Sequence, residues 1–382
     1  MIRATDIMSS PRRVTNLGPG FDGVMRLMAM ANMDTPLLIL SRAAVRKNLA
    51  RLSEVLPGAA IHYAVKSNNH PAIMEEVARS GHGFDVASYH ELRQVLEAGA
   101  GADKLIHSHP IKTLGEIDKA IASGILTFVV DNPSEIDKFA RYSDKVRLLI
   151  RLGVKNSSAV VNLSYKFGCQ PSEAPLLAEK MRSLGLDYHG LTFHVGSQCL
   201  DNRVYVDAIK MAAAVIGDLG ERGFTTRLVD IGGGFPVPYT SETPSIGAFC
   251  RPISVALRRF LSRDIAVACE PGRFISATAV TLATSVIGKT KRQGKNWYFL
   301  DEGLYGSFSG RLYDHCQYKV LTNRNTVWKR SVLAGPTCDS FDVIYRDIIL
   351  PPLEVGDILV FPSMGAYCSV SASTFNGLRK AE

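Results

Sequence analysis

Ala60-Ile-His-Tyr-Ala-Val-Lys66-Ser-Asn-Asn-His-Pro71 is an apolar run that stops on a lysine and meets an Asn/Pro turn at once. Residues 59 to 65 read as a buried strand, and the turn behind them ends it. At the carboxyl end of a parallel strand the Lys66 amine points into the place where α/β folds put their chemistry. A lysine partly withdrawn from water gives up its proton more easily and can bond an aldehyde as a Schiff base. A strand-end lysine also commonly snorkels to solvent, so its meaning depends on the rest of the chain.

From Thr35-Pro-Leu-Leu-Ile-Leu40 onward, short β-like runs alternate with amphipathic helical stretches. The pattern predicts strands near 59–66, 83–87, 104–108, 126–130, 146–151, 188–195, 226–231 and 265–270, with helices such as 41–56, 89–99, 134–142 and 201–222 between them. Eight alternations predict a (β/α)8 TIM barrel over residues 35–273, with an open doubly wound sheet as the alternative. After Arg273 the rhythm changes. The run 276–289, Trp297-Tyr-Phe-Leu300, Val327-Trp-Lys-Arg-Ser-Val-Leu333 and Asp357-Ile-Leu-Val-Phe361 have no helices of comparable length between them. An all-β domain is therefore expected over 274–382.

The 382 residues, 46% hydrophobic and 21% charged, have an ordinary globular composition and suffice for such a pair of domains. The net charge of +8 comes from scattered Lys and Arg with no basic run interleaved with aromatics. Nucleic acid is therefore not an expected partner, whereas an anionic ligand such as a phosphorylated cofactor is. No apolar run reaches the length of a membrane span, so no membrane partner is expected. The cysteines are odd in number, Cys169, Cys199, Cys250, Cys269, Cys316, Cys338 and Cys368, and include no Cys-x-x-Cys pair. That argues against a disulfide framework and a zinc site, and for reduced thiols in a cytoplasmic protein. His107-x-His109 lacks a third ligand at useful spacing, so no metal is expected. Residues 1–33 carry Arg3, Arg12, Arg13 and Arg26 but no continuous apolar core before a cleavage site. No secretory signal is read there, an organelle transit peptide stays open, and residues 1–34 are treated as a poorly defined lead-in.

Informative residues fall at the ends of the expected strands, where a barrel carries its active site. They are Gly83-Phe-Asp85-Val-Ala-Ser88, Arg151, Phe193-His194-Val-Gly-Ser197, Asp230-Ile-Gly232-Gly233-Gly234-Phe-Pro236 and Glu270-Pro-Gly272-Arg273. The glycine triplet lets backbone amides approach an anion, and with Gly272 and Arg273 one strand later it forms a candidate phosphate site. A phosphate site, a Schiff-base lysine and a carboxylate together suggest pyridoxal phosphate. That cofactor draws electrons best with its ring nitrogen protonated, so an acidic partner is expected there. Glu270 fits that role, or it forms a salt bridge with Arg273. His194 either stacks on the flat ring, acts as an acid or base, or is a satisfied core histidine. In the β region, Gly335-Pro-Thr-Cys338-Asp339-Ser340 and Gly365-Ala-Tyr367 set reactive side chains in Gly/Pro-rich loops.

Taken together, these motifs resemble the fold-type III pyridoxal-phosphate decarboxylases, the family of ornithine, diaminopimelate and some arginine decarboxylases. The likeness runs from about residue 35 to Gly377 and includes Phe375-Asn-Gly. It is nearest to the ornithine and lysine/ornithine enzymes in Asp301-Glu-Gly-Leu-Tyr-Gly-Ser-Phe and Leu-Tyr313-Asp314-His. The resemblance implies an alanine-racemase-like barrel, then a β-barrel domain that also uses N-terminal residues, and a homodimer with shared active sites. It implies that Lys66 holds the cofactor, Glu270 its ring nitrogen and His194 its ring face. Ser197, Gly233, Gly234, Gly272, Arg273 and Tyr367 are implied for the phosphate, and Asp85 and Arg151 for the cofactor's surroundings. Tyr313, Asp314 and Asp339 are implied around the substrate's distal ammonium, with Cys338 returning a proton. The implied reaction is decarboxylation of L-ornithine to putrescine or L-lysine to cadaverine, a polyamine-forming step.

Three features depart from the family pattern. Diaminopimelate decarboxylases usually carry an arginine where Ser309 stands, which disfavours that substrate. Arg311 replaces a usually apolar residue and either reads a distal carboxylate or faces solvent. His62 shares a strand face with Lys66 where an apolar residue is usual, and His109 replaces an asparagine. Competing readings are a decarboxylase of diaminopimelate or of a specialised amino acid, a racemase, which Glu270 argues against, and a silent regulator of the antizyme-inhibitor kind.

Overall fold

The computed structural model describes residues 19–154, 165–239 and 243–382. Its contacts divide the chain into one unit of residues 42–276 and a second that joins the N-terminal part, to residue 41, with residues 277–382. The first described elements, helix α1 (Pro19–Ala31) and strand β1 (Leu37–Leu40), belong to the second unit.

The first unit is a closed parallel barrel of β2 (Ala59–Ala64), β3 (Gly83–Val86), β4 (Leu105–His107), β5 (Thr127–Val130), β6 (Arg147–Leu152), β7 (Asp187–Phe193), β8 (Leu228–Asp230) and β9 (Ala266–Cys269). Ile106, Val129, Leu149 and Leu228 share one face across the register and fill the interior. On the same face His62 lies opposite Gly83 and Ala64 opposite Asp85. Gly83 is required there, because a Cβ would sit 2.5 Å from Cδ2 of His62 and 2.3 Å from the Lys104 carbonyl oxygen.

The barrel helices carry one apolar stripe, and several also have a side-chain cap. Ser88 accepts from the Glu91 amide at the start of α4 (Tyr89–Glu97), and Thr113 and Glu116 close a capping box on α5 (Leu114–Ala122). In α8 (Arg203–Glu221) the buried residues Tyr205, Ala208, Ile209, Ala212, Val215 and Leu219 recur at helical spacing. One helix of the ring comes from outside the βα repeat. Helix α2 (Arg42–Val55) precedes the first barrel strand and packs against both α3 (Pro71–Arg79) and α9 (Ile246–Phe260).

The second unit is built on the 13-residue strand β10 (Val280–Arg292). β10 pairs antiparallel with β1, β11 (Lys295–Leu300) and β14 (Ile358–Pro362), and the sheet continues through β12 (Lys329–Ala334) to β13 (Val343–Leu350). The β11–β12 pair is parallel. Asp301, directly after β11, gathers three segments by accepting from the Thr35 and Thr284 hydroxyls and from the Ser285 amide and hydroxyl.

One expectation changes. The segment 35–41, expected in the barrel, lies in the second unit because its apolar run finds the open antiparallel edge of β10, with Leu38 opposite Leu282. In the lead-in, helix α1 belongs to the second unit. Helix α1 buries Phe21, Val24 and Met28 against Leu37, Ala283, Leu321 and Val360, each such side chain stabilising by about 1.5–3 kcal/mol.

Candidate active site

Lys66 lies in the single 3-10 turn Val65–Ser67 that ends β2. Its Nζ pairs with the wholly buried Asp85 carboxylate, whose other oxygen accepts from the Ser108 hydroxyl. The amine is thus held to the carboxylate of the neighbouring strand rather than snorkelling. Gly272 keeps the neighbouring strand end tight against this turn, since a Cβ there would lie 2.7 Å from Cβ of Ser67.

The two strands that close the barrel onto β2 end in a pair of buried carboxyls, Asp230 at the end of β8 and Glu270 after β9. The Oδ1 of Asp230 accepts from the Gly232 amide at 2.8 Å, and the Glu270 carboxyl lies near enough for each to influence the other's proton. Burial, reinforced by the charges of Asp230 and Asp85, holds Glu270 well above the usual carboxylate range, and Lys66 and Arg151 oppose it. Burial also pushes Asp230 up to about 6. Burial thus favours the protonated form of Glu270, and its buried Oε1 has no hydrogen-bond partner among the described residues. Arg273, instead of closing on Glu270, donates to the Ser197 hydroxyl at 2.9 Å and the Tyr239 hydroxyl at 3.3 Å.

Burial, with the Arg151 and Lys66 charges, depresses His194 well below its ordinary value, so its imidazole is neutral. Its Nδ1 accepts from the Gly196 amide at 2.9 Å, which places the proton on Nε2. Gly232 and Gly234 adopt φ of 66° and 112°. A Cβ at Gly234 would lie 2.3 Å from the Gly196 carbonyl oxygen, and one at Gly233 would lie 2.4 Å from the Glu270 carbonyl oxygen and 3.2 Å from Nε2 of His194. Arg151 on β6 sits over the Phe167 ring at 5.4 Å; burial lowers its pKa, and the nearby acidic groups, Glu270 first, offset this. Beneath the mouth, burial pushes His62 down to about 4, so it too is neutral. His109 turns its Nδ1 to the Ile111 carbonyl and its edge to Phe167.

These side chains fit pyridoxal phosphate. They offer an amine for the aldehyde, a protonated carboxyl with an unpartnered oxygen for the ring nitrogen, and a neutral imidazole for the ring face. Glycine turns that no Cβ could enter, beside a buried arginine, suit a phosphate.

The second unit gathers another cluster. The Asp339 carboxylate accepts from the Tyr305 hydroxyl and, at 2.9 Å, from the Phe341 amide, and these bonds hold it below the usual carboxylate range. Tyr305 stacks on Phe375 at 4.5 Å. Cys338 is exposed, with its amide held by Oδ1 of Asn376 at 3.0 Å. Tyr305, Tyr313, Phe341 and Phe375 line a cavity of about 600 Å³. Tyr367 has a left-handed backbone, φ 57°, and its carbonyl accepts from the Ser309 and Ser371 hydroxyls. Tyr313 is exposed and Asp314 follows it at the end of the short helix α11 (Gly310–Tyr313), which comes after the four-residue α10 (Arg273–Ser276) in the chain.

Arg311 does neither thing expected of it. Its Nε donates to the Ile344 carbonyl at 3.1 Å and its Nη1 to the Cys316 carbonyl at 2.9 Å, with the guanidinium 4.3 Å from the Tyr345 ring. Sequence reasoning missed the pairing of Asp230 with Glu270, and the parts of Ser108, Tyr239 and Tyr305. Asp230 and Ser108 had a signal in their strand-end positions, whereas Tyr239 had none.

Residues 42–277 match the family described as pyridoxal-dependent decarboxylase, pyridoxal binding domain. The chain is 40% identical over 344 residues to a lysine/ornithine decarboxylase of Selenomonas ruminantium, covering 90% of this chain and 87% of that protein. It superposes with a TM-score of 0.90 on a lysine/ornithine decarboxylase of Vibrio vulnificus solved with putrescine, at 40% identity, covering 96% and 98% of the two chains. Antizyme inhibitor 2 of Xenopus laevis is 34% identical over 355 residues, 88% of this chain and 77% of that protein.

Proposed function

The chain belongs to the family of pyridoxal-dependent decarboxylases, and from that premise we propose that it converts L-ornithine to putrescine and, as a second substrate, L-lysine to cadaverine. The observation that carries the reading is the barrel mouth, where the Lys66–Asp85 pair and the buried Glu270 end adjoining strands. Pyridoxal phosphate, when bound, supplies a sink for the electron pair released as the α-carboxylate leaves.

The chain's own residues divide the remaining work. Lys66 would hold the aldehyde, with Asp85 orienting its amine. Glu270 would share its proton with the ring nitrogen, backed by Asp230. His194, being neutral, would lie against the ring without adding charge. Arg273, Ser197, Tyr367 and the amides of Gly233, Gly234 and Gly272 would bind phosphate, with Arg151 balancing the carboxylates. Asp314 and Asp339, with Tyr313, would hold the distal ammonium, since an unpaired buried cation is costly. Carbon dioxide leaves, a proton takes its place on the α-carbon, and Cys338 would deliver that proton. A cytoplasmic homodimer whose sites draw on both subunits is part of the same reading, supported by the likeness to the lysine/ornithine enzymes and by seven unbridged cysteines.

Diaminopimelate is set behind these substrates, because Ser309 stands where a carboxylate reader is expected and Arg311 is engaged by carbonyls. Kinship with an antizyme inhibitor supports the silent-regulator reading, but Lys66, Cys338 and Asp339 are all retained. The test is to give the cofactor-loaded protein L-ornithine, L-lysine, L-arginine and meso-diaminopimelate together and identify the amines by mass spectrometry. Putrescine, or putrescine with cadaverine, is the expected product. Lysine formed from diaminopimelate alone, or no amine at all, would overturn the proposal.

A further inference from the structure

We infer that Arg311 is the positioning residue for the Tyr313–Asp314 turn, and that through this turn it sets the preference for substrates with a distal ammonium; the inference rests on the functional reading above. Helix α11 is only four residues long, so it cannot hold the turn by its own hydrogen bonds. The chain reverses immediately afterwards. The amides of Asp314 and Cys316 both return to the Gly310 carbonyl, at 3.2 and 3.0 Å, and His315 takes a left-handed φ of 50°.

Arg311 stands on one side of Asp314 and grips the other. Its Nη1 reaches the Cys316 carbonyl, closing the turn from residue 311 to 316, and its Nε reaches the Ile344 carbonyl of the core strand β13. The guanidinium lies on Tyr345, the next residue of β13, whose hydroxyl donates to the Tyr318 carbonyl at 2.8 Å. Both ends of the loop that carries Asp314 are therefore fastened to one strand through one planar side chain. An ammonium offers no fork and no flat face, so lysine at this position cannot bridge both carbonyls while stacking on the tyrosine.

The proposal predicts a loss directed at one end of the substrate. Cofactor-loaded wild type, R311M and R311K are compared on L-ornithine and L-norvaline, which lacks only the distal amine, each as substrate or competitive inhibitor. Small displacements of a binding group are costly, so R311M should lose roughly tenfold or more of the ornithine-over-norvaline ratio, mainly through KM, and R311K should lose less. A ratio unchanged in R311M, with both substrates slowed alike, overturns the inference and leaves Arg311 a stability residue. Should R311M not fold, the same ratio read on R311K decides. A wild type indifferent to the distal amine overturns the functional reading itself, and that outcome is seen before any variant is made.

Discussion

Replacing Glu270 with Gln should make the cofactor-free protein more stable at neutral pH while removing its activity. Glu270 is buried beside Asp230 and Asp85, and its folded value stands well above its ordinary 4.5. A carboxyl raised in this way contributes fully below its unfolded value, and the contribution is lost as pH rises toward the folded one. Above 4.5 the unfolded chain has released the proton that the folded chain still holds. Over that window each pH unit costs about 1.4 kcal/mol of stability. For a domain the size of this barrel the cost corresponds to roughly 3–6 °C in melting temperature per unit. Glutamine has no proton to lose. The assay is thermal melting of cofactor-free wild type and E270Q at about pH 6, 7 and 8, with turnover measured on the loaded proteins. The gap in melting temperature should widen with pH in favour of E270Q, by up to that amount per unit until the folded carboxyl itself titrates, and kcat should fall by about 10²–10³, as for loss of a preorganised charge partner. Parallel melting curves would refute the protonated carboxyl, and an active E270Q would refute its role.

His107 is buried with both ring nitrogens unpartnered among the described residues, and burial pushes it down to about 3. A depressed histidine stabilises above its unfolded value of 6.5 and loses that contribution as pH falls toward the folded value. Wild type should therefore lose roughly 2 kcal/mol by about pH 5 that H107F, stacked like it on Phe128, does not lose, as urea unfolding at two pH values would show. Gly234 has φ 112°, and a Cβ there meets the Gly196 carbonyl oxygen, so G234A should carry about 1–3 kcal/mol of strain and bind pyridoxal phosphate more weakly, measured by equilibrium dialysis. An unchanged cofactor affinity would place the phosphate elsewhere.

The barrel was legible because each strand is a short apolar run that ends on a polar or glycine-rich signal. Strands expected at 83–87 and 265–270 appear as Gly83–Val86 and Ala266–Cys269. Lys66, Asp85, His194, Glu270 and Arg273 could be singled out because a charged or ring side chain at such an end has few structural reasons to be there. What stayed hidden depends on partners distant in sequence. The run Leu37-Leu-Ile-Leu reads as a strand in either unit, and only the open edge of β10 decides its place. The parallel pairing of β11 with β12 leaves no local trace, since alternation is the same in both directions. Asp230 looked like part of a glycine turn until its carboxyl met Glu270. Arg311 looked like a surface or substrate-reading charge, because carbonyl oxygens carry no sequence signal.

The central claim is that Lys66 at the mouth of the barrel is where pyridoxal phosphate is held. It is tested most directly by loading the protein with the cofactor, reducing it with borohydride, and mapping the labelled peptide by mass spectrometry. The account predicts a pyridoxyl group on Lys66, absent in K66A together with turnover. A label on another lysine, or a K66A protein that still decarboxylates at the wild-type rate, would contradict it.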